Sequence, residues 1–297
     1  MNDVSPSIHT LKNGVMRYPT HYQDVMVHLD GGEEDEIRLA HAELIAALAG
    51  AHLTGVYTNM LPDIAFYADG AGGPVFAELT QDLLDQGVKF GKRLQTRFAR
   101  LGVSNELRKI EDIPGLLPGL VATEARWADL FVASCPSPSA SLHDWGRMIE
   151  AVMFEGGHSL YLIPRGMTPR SEVRTVMIGW VDTKEAARAV AQALPLLKLA
   201  TKTELVSVHE PRKGRLGGAE IMADIAAHLA RHGIEATVTI VPPKDNVGAA
   251  LLDEAHRISA DLIVCGAYGH SRFREWILGG ATQDLIHTSN VPLFMAH

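Results

Sequence analysis

Two cysteines in 297 residues, Cys135 and Cys265, are too few for a disulfide framework. Each closes or follows an apolar run, the usual place of a buried, reduced thiol. No apolar run reaches the roughly eighteen residues that a membrane-spanning helix requires. Positive charge is short as well. The 27 Lys and Arg against 35 Asp and Glu leave a formal charge of −8, the wrong sign for general binding to nucleic acid or to an anionic membrane. The opening MNDVSPSIHTLKNGVMRYPT lacks the apolar core of a signal peptide. No Cys-x2-Cys occurs, and among the fourteen histidines no His-x3-His pair is expected to share one face with a carboxylate, so no metal site is expected. What is there in quantity is ordinary globular material, 46% hydrophobic and 21% charged. The expectation is a cytoplasmic protein.

The chain repeats itself. DVMVHLDG (24–31) answers TVMIGWVD (175–182), and each is followed by an acidic, Ala-rich segment of helical period. HLTGVYTNM (52–60) answers ELVSVHEPR (204–212), and EARWADLFVASC (124–135) answers AHRISADLIVCG (255–266). The last runs, SLYLIP (159–164) and PLFMAH (292–297), form a further pair. Matched elements in one order imply two copies of a unit, with a Pro/Gly/polar connection, PRGMTPRSEV (164–173), between them. The expected organisation is a tail over 1–19, a first domain over 20–165, a linker over 166–172 and a second domain over 173–297.

Strands and helices alternate within each copy. The strands are continuous apolar runs, as a parallel sheet covered on both faces produces. The fold expected is α/β, two doubly wound units with five-stranded parallel sheets. Ligands in such sheets bind outside the carboxyl ends of the strands, where the strand order reverses.

At that edge of the second unit lies GAYGHSRFREWILGGAT (266–282), with Gly266 and Gly269 in one group and Gly279 and Gly280 in another. The residues admit two readings. One is fold chemistry, a turn at Gly266–Gly269 and a glycine cap for a short helix RFREWIL. The other is an anion cradle, in which glycines allow close backbone approach to the unpaired N–H groups of the last helix. Ser271 and Thr282 would add hydroxyls, and Arg272 and Arg274 positive charge. Neither a P-loop nor a dinucleotide fingerprint fits, because Gly-Lys-Ser/Thr is missing and the glycine spacing differs. The first copy keeps the strands yet has Ser134, Ser137 and Arg147 where the glycines should stand, with Pro136 and Pro138 unable to donate. Turn glycines would be needed in both copies, so the asymmetry favours the phosphate reading.

The duplicated unit and the Gly-x2-Gly-x9-Gly spacing of Gly266, Gly269 and Gly279 resemble a tandem universal stress protein, two UspA-type domains in one chain. GHSR after the second glycine and VP before the last strand strengthen the likeness, which covers all but the first twenty residues and the linker. The resemblance implies a flavodoxin-like (adenine nucleotide alpha hydrolase-like) fold and ATP, or ADP or AMP, as ligand, with Mg able to accompany the nucleotide. It implies phosphate and ribose contacts at Gly266, Gly269, His270, Ser271, Arg272, Gly279, Gly280, Ala281 and Thr282. The family pattern has Ser or Thr where Gly280 stands. On the adenine side it implies Trp180, Val181, Asp182 and Val208; the family's acidic residue would fall at Val181, with Asp182 one position late. In the first unit the matching acid is Asp30, in a degenerate site. Partners implied are the nucleotide, pairing of the two units within the chain, and a homodimer as a further association. The function implied is a stress-response regulator; a scaffold without nucleotide and a weak nucleotide hydrolase are the alternatives.

Other features carry less. His209 and His270 could face one crevice, and packing or capping accounts for His28, Asp30 and Asp129. Cys135 has no visible base. The stretch AFYADGAGGPVFAELTQ (65–81) reads as an extra loop in the first unit, a surface excursion or a lid. The last strand of each unit is expected at a sheet edge.

Overall fold

The computed structural model describes residues 21–63, 73–136, 145–208, 218–242, 246–267 and 280–297. The first half runs β1 (Asp24–Leu29), α1 (Asp35–Ala49), β2 (His52–Met60), α2 (Gly73–Phe98), β3 (Asn105–Asp112), α3 (Leu117–Ala125), β4 (Leu130–Ser134), α4 (Gly146–Ala151, prolonged by a π turn, Val152–Gly156) and β5 (Ser159–Ile163). The second half repeats it as β6 (Thr175–Gly179), α5 (Lys184–Leu197), β7 (Lys202–Val208), α6 (Gly218–Arg231), β8 (Ala236–Val241), α7 (Val247–Arg257), β9 (Leu262–Gly266), α8 (Gly280–Thr288) and β10 (Leu293–Ala296).

All ten strands join one sheet in the order β3-β2-β1-β4-β5-β10-β9-β6-β7-β8. Each half is parallel, and the halves meet antiparallel where Leu293 faces Leu162 and Met295 faces Leu160. The last strand of each half therefore lies at the centre of the molecule, and β3 and β8 are the outer edges. The repeat extends to register, with Val25 opposite Leu130 and Val176 opposite Leu262. The repeated Ala-Asp-Leu has a structural role. Asp129 accepts from the backbone N–H groups of Gln23 and Asp24, and Asp261 accepts from those of Arg174 and Thr175, so each aspartate clamps the start of its half's first strand.

Alternate residues of the central strands feed two cores. Val27, Ile178 and Val264 face the side covered by α1, α5 and α6, while Met26, Met177 and Ile263 face α3, α4, α7 and α8. Both cores run through both halves, because β5 and β10 contribute to each. Side chains buried on two faces explain why these strands read as unbroken apolar runs.

Two expectations are overturned: the last strands, expected at sheet edges, pair with each other at the centre, and the extra loop is partly helix. Of the stretch expected as a loop over 65–81, residues 73–81 are the first turns of α2, and 64–72 fall outside the described residues. Pro74 in the first turn costs no helical hydrogen bond. The half-buried or buried Phe76, Leu83, Gly87, Leu94 and Phe98 recur at helical period, which sets an amphipathic helix on β2. Gly55 and Gly87 allow that approach, since a Cβ on either would strike Phe98 or Asn59.

Candidate functional site

The strand order reverses between β1 and β4 in the first half and between β6 and β9 in the second. These forks, at the carboxyl ends of the strands, are where a doubly wound sheet binds ligands.

At the second fork Gly266 ends β9 with the first turn of α5 lying directly on it. A Cβ there would stand 2.5 Å from the Ala186 nitrogen and 2.9 Å from its Cα. That is backbone, which cannot swing aside, so this glycine is required by the fold whether or not a ligand binds. Gly280 opens α8 with no atom of the described residues within 4 Å of a Cβ, and Thr282, two residues in, is buried. Gly248, in the first turn of α7, lies against the start of α8: its Cβ would come within 3.1 Å of the Ala281 carbonyl oxygen. Three helix N-termini thus gather at the carboxyl edge of the second half. Glu185 already supplies α5 with negative charge, whereas neither α7 nor α8 has an acidic residue in its first turn. Their combined dipoles favour an anion.

Gly269, His270, Ser271, Arg272 and Gly279 lie outside the described residues, as do Arg274 and His209. On the adenine side, Trp180, Val181 and Asp182 follow β6. The Trp180 N–H donates to the Val206 carbonyl at 2.8 Å and its ring packs on the α5 side of the sheet, its indole Nε1 buried without a partner. Val208, at the end of β7, packs on the opposite side. Trp180 and Val208 are therefore not brought together. Val181 is 44% exposed and Asp182 is also exposed, so among the described residues neither is covered. Thr183 caps α5 by accepting from the Ala186 N–H.

The first fork is built differently. Both oxygens of Asp30 are engaged: Oδ1 by Arg38 at 2.6 Å and the Gly32 N–H at 3.0 Å, Oδ2 by Trp145 Nε1 at 2.8 Å. Asp35 takes the Asp30 and Gly31 backbone N–H groups, both at 2.9 Å, and shares Arg38 at 2.5 Å. Donors that could meet a phosphate are thus satisfied by a carboxylate of the chain itself. Burial alone would push the Asp30 carboxyl up, but the Arg38 guanidinium holds it well below the usual range. His28 lies beneath, its Nε2 2.8 Å from Thr58 Oγ1 and its ring 4.6 Å from that of Trp145. Burial, reinforced by Arg38, holds the His28 imidazole down at about 3, so it is neutral.

Asp30 was legible in the sequence; Arg38, Asp35 and Trp145 were not assigned to it. The signals were the Asp35–Arg38 spacing of one helical turn and a tryptophan just before the helix that matches α8. Both cysteines are buried, and burial pushes both thiols up to about 12, away from the thiolate form. His228 on α6 and His232 just after it meet edge to face with ring centroids 4.8 Å apart, yet among the described residues no three metal-ligating side chains cluster. Among those residues no helix is long and apolar enough to cross a membrane.

Residues 172–297 match the model of the universal stress protein family. No curated protein matches the chain. Among solved structures, a universal stress protein from Archaeoglobus fulgidus superposes with a TM-score of 0.71 at 16% identity, covering 92% of this chain and 97% of that one. A protein from Pseudomonas aeruginosa described as a putative universal stress protein superposes at 0.58 with 12% identity, over 93% and 94% of the two chains. At those identities the likeness is one of fold, and it spans both halves. A universal stress protein solved in complex with cAMP covers 48% of this chain and 98% of its own, at 20% identity and a TM-score of 0.29.

Proposed function

We propose that this chain is a universal stress protein, its second half, residues 172–297, matching the family's model, and that this half binds ATP or a related adenine nucleotide in a regulatory, stress-response role. The observation that carries the reading is the gathering of the α5, α7 and α8 N-termini around the second fork, two of them without an acidic residue in the first turn. Phosphates would lie over Gly280, Ala281 and Thr282, with Gly269 and Gly279 of the same motif as further contacts. The base would rest beside Val181 and Asp182. With valine where the family pattern has an acid, the base would be read by backbone groups or by Asp182. Mg would be held by the nucleotide rather than by a cage of protein ligands. We assign the site to a domain over 173–297 and the packing of the two halves to the β5–β10 join.

One observation favours a second reading, a scaffold acting through protein contacts. The β8 edge, ATVTIV, carries no charge and exposes Val238 and Ile240, whereas β3 at the other edge is lined with ion pairs. Mass spectrometry of small molecules released from gently purified chain separates the readings. Co-purified ATP is the expected result; AMP or ADP alone points to hydrolysis, and no nucleotide at all favours the scaffold.

A further inference from the structure

We infer that the fork of the first half is a binding site for a planar heteroaromatic N–H donor, and that the chain fills it in cis with the indole of Trp145. The topology places the crevice independently of any ligand, at the carboxyl ends of β1 and β4. Trp145 precedes the helix that follows β4, and its side chain reaches back to the end of β1. There it does what a bound heterocycle would do: its N–H donates to Asp30 Oδ2 at 2.8 Å, and its ring meets the His28 ring at an interplanar angle of 68°.

The receiving groups are fixed before the indole arrives. Arg38 and the Gly32 N–H hold the Asp30 carboxylate, and Thr58 holds the His28 imidazole. The polar inventory also exceeds what an indole uses. His28 Nδ1 and Arg38 Nε are buried and unpartnered, although each residue is about 2% exposed or less. A wall built only to pack a tryptophan would carry hydrocarbon at those positions. At the second fork the residue before the glycine that opens α8 is Gly279, and residues 268–279 lie outside the described residues. The first fork is therefore held in an occupied state by the chain itself. The assignment does not depend on nucleotide binding in the second half.

The test is cavity rescue in the full chain. Trp145→Gly should lower the melting temperature, and millimolar indole should raise it again by about 3 °C while leaving the native chain unmoved. 1-Methylindole, of similar shape but without the N–H, should rescue markedly less. No rise with indole, or equal rescue by 1-methylindole, overturns the assignment. Should Trp145→Gly fail to fold, the indole N–H resonances of the 15N-tryptophan-labelled native chain decide. The signal lost in Trp145→Phe should be protected from solvent exchange and should shift in Asp30→Asn. Free exchange, or indifference to Asp30→Asn, overturns it.

Discussion

Glycines of one sequence motif do different work here. A methyl group at Gly266 would collide with the Ala186 backbone, so Gly266→Ala should cost about 2 kcal/mol or more in chemical denaturation, ligand or no ligand. Gly280 stands at a helix start with no described residue within 4 Å of a Cβ, so Gly280→Asp should leave stability within about 1 kcal/mol while its charge opposes a phosphate. The sequence showed that both glycines were unusual; it could not divide them, because the division depends on which backbone passes nearby. Val181 and Asp182 lie just past the end of β6, and that Trp180 turns away from Val208 follows from strand pleat and packing. His28 gives a second prediction at this scale. Its folded pKa, about 3, lies below the unfolded value near 6.5, so the unfolded chain binds the extra proton between them. Stability is then full above pH 6.5 and falls as the pH drops toward 3. Between pH 6.5 and 5 the loss from this residue is about 2 kcal/mol. Urea melts across that range should show the slope, reduced in His28→Gln.

Element contacts set how closely the helix starts approach one another. Gly248 lets the first turn of α7 touch the Ala281 carbonyl and the Asp284 side chain of α8. Gly248→Ala should push the two apart, cost about 1–2 kcal/mol by overpacking, and weaken nucleotide binding without removing a ligand contact. A titration that leaves affinity unchanged despite that cost would separate the α7–α8 contact from the site. Elements with plain periodicity were the legible ones, including every strand of the second half. The 65–81 stretch was not, since its glycines and aromatics look like a loop until Phe76, Leu83, Gly87 and Leu94 are seen to fall on one face of α2.

At the scale of the whole molecule, two halves share one sheet and two cores. The β5–β10 pairing and the apolar residues around it are buried, so an isolated second half would expose β10 and both faces beside it. Heat or urea should therefore unfold the chain in one transition, with near- and far-UV circular dichroism coinciding. For the same reason, ligand binding belongs in the intact chain. Duplication was legible from sequence, and so was the loss of glycines in the first copy. That the vacated fork is filled by Trp145 was not, because it joins residues 115 positions apart. A single nucleotide site in the second half, beside a first fork closed by Trp145, is tested by calorimetric titration of ATP into the intact chain. The account predicts one ATP per chain, retained in Trp145→Phe and weakened at least about tenfold in Gly280→Asp, a change of some 1.4 kcal/mol. Two ATP per chain, no binding at millimolar ATP, or undiminished binding in Gly280→Asp would contradict it.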